Sequence, residues 1–342
     1  MTLNWTIPQD WQQITAIDAH TCGEPLRIFT EGWPDLPGDT ILAKRRYARE
    51  NFDHLRTATM WEPRGHADMY GVILTEPVTS DGDVGVLFVH NEGFSTMCGH
   101  GIIGLTKVGF DTGMFSSDET TPVLKIDSPA GRVTAFAQRE NGMVTAVSFH
   151  NVPSFVYALD QTVHVPELGK VRIDIAFGGA FYAYVNAKTI GVGLTPDDNE
   201  QLIRYGRLIK TAVMENFPIT HPFEEDLGFL YGTIFIGDAH HSAHHSRNVC
   251  IFADGEVDRC PTGTGVSARA ALHFAKGEIG LNEPFVVESI LGTTFTGEVV
   301  ATTTFGPYEA VVPKVTGTAH ITGINQMLID PNDPLRNGFI LR

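Results

Sequence analysis

The chain has 342 residues, 42% hydrophobic and 19% charged, which suits one large or two medium packed domains and excludes a disordered chain. A formal net charge of −16 repels phosphate backbones and argues against nucleic-acid partners. It does not exclude a small anion, which a local nest of backbone N–H groups can hold against the global field. The 4 cysteines, Cys22, Cys98, Cys250 and Cys260, form no Cys-x-x-Cys pair and are few for a secreted disulfide scaffold. Met1–Asp10 has no basic-then-apolar leader pattern, and no apolar run approaches the roughly 20 residues of a spanning helix. A reducing cytoplasm with free thiols and no membrane partner is expected.

In chain order, Ile41–Phe52 shows helical periodicity, and Gly71–Thr75 and Val84–Val89 read as short strands rich in β-branched residues. Gly101–Val108 follows a Gly-rich turn and starts a helix. Val144–Phe149 and Phe181–Val185 read as strands and Asn199–Glu215 as a helix. Thr233–Ile236 and Val249–Phe252 are strands, and Gly265–Lys276 is a helix after a second Gly-rich turn. The class is α+β with strands dominant.

Met97–Gly104 (MCGHGIIG) and Pro261–Ala268 (PTGTGVSA) share a layout. Each has a nucleophile-type side chain, then Gly-x-Gly, then small and apolar residues suited to a helix start. Two similar halves are expected, with a boundary near Tyr157–Asp160. Gly-x-Gly at a helix start turns N–H groups toward a ligand, and the helix dipole favours an anion there. Two matched turns suggest one carboxylate clasped between two halves; a pair of ordinary Gly turns is the bland alternative.

Cys98 precedes the first turn, where a thiol is expected to have a lowered pKa and to act as base or nucleophile. His100, two residues on, orients a substrate or tunes the thiolate. Asp258, four residues before the second turn, suits the ammonium of an amino acid. The competing reading is a solvated loop Asp paired with Arg259.

These segments resemble the two active-site motifs of the proline racemase family, which includes hydroxyproline 2-epimerases and trans-3-hydroxy-L-proline dehydratases. The resemblance extends to Asp18–Pro25, Glu62–Gly71, Phe177–Tyr182, Arg247–Asp254 and Ile321–Leu341. It implies a diaminopimelate epimerase-like fold: two domains, each a strand-rich sheet wrapped around a central helix, with the site in the cleft between them. The halves are 1–157, with 328–342 returning to it, and 158–327. No organic cofactor and no metal is implied. The partner is a small amino acid, and a homodimer is the assembly considered.

In the racemases and epimerases two cysteines face opposite sides of the substrate α-carbon. The first matches Cys98; the second falls on Thr262, and Cys260 lies two residues too early to replace it. The Cys-to-Thr exchange resembles the dehydratase branch. A Thr hydroxyl is a poor general acid beside a thiol, so inversion fails, while elimination needs no second base. Cys98 is then proton acceptor and donor, and Thr262 marks the vacated position. Gly99, His100, Gly263 and Thr264 supply N–H groups to an enediolate-like carboxylate, and Asp258 holds the ammonium. The implied reaction is dehydration of trans-3-hydroxy-L-proline to Δ1-pyrroline-2-carboxylate. Phe252 and Tyr70 are read as apolar walls.

The alternatives are a hydroxyproline epimerase or proline racemase, a cysteine hydrolase, a metal-binding protein and a non-catalytic amino-acid-binding protein. A hydrolase would use Cys98 with His100, but i and i+2 side chains rarely meet, which makes His100 a poor thiol partner. A metal would use the His240–His245 region (HHSAHH), read here as a polar loop.

Overall fold

The computed structural model describes residues 4–341; the first three residues of Met1–Asp10 and the last of 328–342 lie outside it. Four α-helices occur among the described residues: α1 (Ile41–Met60), α2 (Gly99–Asp111), α3 (Asn199–Asn216) and α4 (Gly263–Ala275). The Thr40 hydroxyl starts α1 by accepting the Ala43 N–H at 3.0 Å. The sequence pattern breaks at Phe52, and there the backbone leaves helical values (φ −129°) before the helix resumes to Met60. α2 and α4 are buried along nearly their whole length. A helix apolar all round belongs inside a core.

The strands form one continuous sheet. Ala319–Ile329 pairs with Gln12–Thr21, followed in space by Glu24–Glu31, Gly71–Thr75, Val84–Val89, Val123–Ser128, Gly131–Glu140 and Met143–His150. This run curls around α2. Alternation drives it: in Gly131–Glu140 the side chains of Val133, Ala135 and Ala137 point inward while their neighbours reach toward solvent.

A second run is Tyr308–Gly317, Thr294–Phe305, Phe285–Glu288, Ser246–Phe252, Leu230–Gly237, Phe181–Asn186, Gly169–Phe177 and Ser154–Val165. Ser154–Val165 pairs back onto Tyr308–Gly317, closing a ring around α4. Tyr308–Gly317 also joins the runs, because its Lys314–Gly317 end pairs with Val147–His150 of the first. One large apolar core runs through both, and a smaller one, including Ile14, Leu55, Met60 and Leu87, lies under α1. No helix of the described residues is long and apolar enough to cross a membrane.

Candidate active site

The starts of α2 and α4 meet head to head. A Cβ on Gly99 would lie 2.6 Å from the Gly263 Cα, and one on Gly263 would lie 2.6 Å from the Gly99 Cα. Only glycine fits at either position. First-turn N–H groups have no acceptor within their own helix, so Gly99, His100, Gly263 and Thr264 bring four such donors and two positive dipole ends together. Cys98, Gly99, His100, Asp258, Thr262, Gly263 and Thr264 all line one small, nearly closed cavity, and Tyr70 and Phe252 complete its wall. A larger surface hollow, lined by Ser154, Thr302 and Tyr308, lacks a comparable group of thiol, imidazole and carboxylate.

Cys98 caps α2. Its backbone is extended (φ −143°), and its Sγ folds over the first turn to accept the Gly101 N–H at 3.2 Å. That fold brings Sγ to 3.1 Å from His100 Nδ1. The expectation that His100 is a poor partner for the thiol is therefore corrected: the i, i+2 rule describes residues inside a helix, and a cap side chain lies across the turn. The expected lowered thiol pKa is also corrected. Burial pushes Cys98 well above the ordinary thiol value, outweighing the Gly101 N–H that pulls it down. Burial likewise lowers His100 to about 3, so its ring is neutral.

Thr262 starts α4 differently. Its backbone is left-handed (φ 67°, ψ 97°) and its hydroxyl does not cap the helix. The hydroxyl donates to Asp258 Oδ2 at 2.8 Å, and the Thr262 N–H donates to Cys260 Sγ at 3.3 Å. Cys260 is fully buried, engaged with the Thr262 backbone. Asp258 is 3% exposed and also accepts the Cys260 N–H at 2.8 Å, while Arg259 turns to Asp68 at 2.9 Å. This overturns the solvated-loop alternative. Burial raises the Asp258 carboxyl pKa. Glu24, also fully buried, accepts the Arg259 N–H at 2.7 Å and is pushed well up by burial and then by Asp258.

The aromatic wall was only partly legible. Tyr70 meets His100 edge-on, with centroids 4.6 Å apart, and Phe252 stacks on Tyr231 at 5.4 Å. Tyr182, Tyr231 and Met97 also line the cavity and were not singled out from the sequence. The two tyrosines lie on buried strands, where apolar runs hide which residue faces a cavity. The Tyr182 hydroxyl pairs with Thr264 Oγ1 at 2.7 Å.

The His-rich segment is pinned by Glu288, which accepts the backbone N–H of His240 and His241 at 2.9 and 2.8 Å and contacts His244 Nδ1 at 2.9 Å. Among the described residues, the group close enough to share a metal ion is His100, Asp258 and Cys260, with donor atoms within 4.8 Å of one another. Asp258 and Cys260 are already engaged with Thr262, and His100 with Cys98.

A hydroxyproline epimerase from Agrobacterium vitis, solved with bound trans-4-hydroxy-L-proline, matches this fold with a TM-score of 0.93 and 29% identity over 98% of this chain and 96% of that one. A probable proline racemase from Agrobacterium radiobacter matches with a TM-score of 0.92 and 28% identity over 96% of each chain. Fold and site thus define a racemase-type α+β protein. The proline racemase family model matches residues 16–340, and the chain belongs to that family. A trans-3-hydroxy-L-proline dehydratase from Colwellia psychrerythraea is 51% identical over 98% of this chain and 94% of its own length. The human protein of that name is 44% identical over 96% of this chain and 95% of its own.

Proposed function

We propose that this protein is a trans-3-hydroxy-L-proline dehydratase. The observation that carries the reading is Thr262, a hydroxyl tied to Asp258, at the α4 start where a second base would be needed for inversion. The relatives named for this activity, 42–51% identical, support it.

In this reading Asp258 takes the ring ammonium, and the N–H groups of Gly99, His100, Gly263 and Thr264 take the carboxylate. The ammonium and the two helix dipoles offset the burial that disfavours the Cys98 thiolate in the empty site. Cys98 removes the α-proton as charge moves onto the carboxylate, where each well-placed donor contributes ~3 kcal/mol. The 3-hydroxyl is trans to the carboxylate and so shares a ring face with the α-hydrogen. The thiol formed on that face protonates the departing hydroxide, giving water and an enamine that tautomerises to Δ1-pyrroline-2-carboxylate.

The same reading divides the chain into two similar halves, each a sheet around a central helix, with the site in the cleft between them. The division is 1–157, with 328–342 returning to it, and 158–327; the pairing of Ala319–Ile329 with Gln12–Thr21 supports a return of the C-terminal segment to the first half. A cytoplasmic location and a homodimer complete it; light scattering on the purified protein tests the dimer. The deciding experiment is incubation with trans-3-hydroxy-L-proline, read by a pyrroline-specific colour reaction and by chiral analysis. Pyrroline without epimer is expected. Inversion without elimination would favour the epimerase alternative.

A further inference from the structure

Three tyrosines border the cavity, and their hydroxyls stand in different situations. That of Tyr182 is engaged by Thr264. That of Tyr70 lies toward the Cys98 thiol. The Tyr231 hydroxyl is buried and makes no hydrogen bond of full geometry, although Ser95 and Tyr70 stand near enough to act on it. Its ring cannot swing to find one. It stacks on Phe252 at an interplanar angle of 20° and packs edge-on against Tyr182 and His90 at 90° and 65°. Ser95, Glu256, Tyr70 and Cys98 act on the hydroxyl, and Tyr70 and Cys98 line the cavity with it, so it borders the thiol side. A buried donor left unmade costs free energy, and a site that keeps one is shaped for a ligand atom.

We propose that the Tyr231 hydroxyl donates a hydrogen bond to the 3-hydroxyl of the substrate and selects for it. The inference rests on the dehydratase reading and extends it to ring specificity. With the carboxylate at the helix starts and the ammonium at Asp258, the remaining ring carbons face the aromatic wall. The 3-hydroxyl lies on the Cys98 face, the side on which Tyr231 stands. During elimination the C2–H bond breaks to the thiolate, its electron pair forms C2=C3, and the C3–O bond breaks. The oxygen takes the proton back from Cys98 and leaves as water. Tyr231 keeps its own proton throughout, and burial, which raises its pKa well above the ordinary value, holds it there.

The test uses the wild-type enzyme and Tyr231→Phe. Wild type should bind trans-3-hydroxy-L-proline at least about tenfold more tightly than L-proline, measured as a competitive inhibitor lacking the hydroxyl. In Tyr231→Phe, kcat/KM for trans-3-hydroxy-L-proline should fall at least about tenfold while the KI of L-proline stays within about twofold. The thermal midpoint should not fall, because the variant deletes an unsatisfied group. Equal wild-type affinity for the two amino acids overturns the proposal whatever the variant does. So does unchanged kcat/KM in the variant, or a parallel weakening of L-proline, which would mark a general packing role. Wild type with no dehydration at all would sink the dehydratase reading itself, and this inference with it.

Discussion

The two helix starts that meet at Gly99 and Gly263 share a backbone plan and put it to opposite uses. At α2 the cap residue is extended and its side chain lies over its own helix, Sγ on the Gly101 N–H and beside His100. At α4 the cap residue is left-handed and its side chain leaves the helix for Asp258. A non-glycine residue at positive φ costs about 1–3 kcal/mol, and the bonds to Cys260 and Asp258 offset it. One frame presents a thiol that can carry a proton; the other ties a hydroxyl to the carboxylate proposed for the ammonium. Matched geometry sets where the anion sits, and the cap residue sets the chemistry.

The largest expected effect comes from the α2 side. Cys98→Ala should lower kcat for dehydration by about 10³-fold or more, with the thermal midpoint close to wild type. Turnover within tenfold of wild type would break the asymmetry at its source. On the α4 side, Asp258→Asn should lower kcat/KM about 10²-fold, with much of the loss in KM, because the ammonium then enters a buried site without its counter-charge. Steady-state kinetics that do not change would remove Asp258 from substrate binding.

Thr262→Cys sharpens the comparison by making the two caps alike. It should gain a low rate of epimerisation of trans-4-hydroxy-L-proline or racemisation of proline, read by chiral chromatography. The gain should be small, since a catalytic thiol must sit within about 0.5 Å of productive geometry. Complete absence of inversion, in a folded variant that still dehydrates, would mean that the α4 cap does not face the α-carbon.

The smallest effect concerns stability. Burial raises the Glu24 carboxyl well above its ordinary value, so the folded protein keeps a proton that the unfolded chain releases. The stability this confers is complete below the unfolded pKa and is lost as pH rises through the folded one. Relative to Glu24→Gln, wild type should lose about 2–4 °C of thermal midpoint between about pH 4 and pH 8. A constant difference across that range would mean that Glu24 is ionised in the fold.

Much of this was legible in the residues. Gly71–Thr75 and Val84–Val89 are strands with the predicted ends, and the two Gly-x-Gly segments open helices as expected, although each starts two residues earlier, at Gly99 and Gly263, with the Gly-x-Gly inside the first turn. The paired motifs announced a shared cavity because both use the same local device. What escaped was non-local. The closing role of Tyr308–Gly317 depends on partners more than a hundred residues away, and no local pattern encodes it. Tyr231 sits in a strand buried along most of its length, where periodicity cannot say which side chain borders a void. The thiol–imidazole contact was misjudged because a cap side chain folds back across its turn, and the raised thiol pKa because burial outweighs the helix start; spacing along the chain reports neither.

The glycine contact has an implication for how such chains change over time. Most tight packings can be relieved from the other side, since a larger residue here is tolerated once a smaller one appears there. At Gly99 and Gly263 the obstacle to each is the main chain of the other, which is already the smallest residue available. No second-site substitution at the partner makes room. The two positions are therefore frozen together without covarying, and a lineage that altered one would have to part the two helix starts, and with them the cradle proposed for the carboxylate.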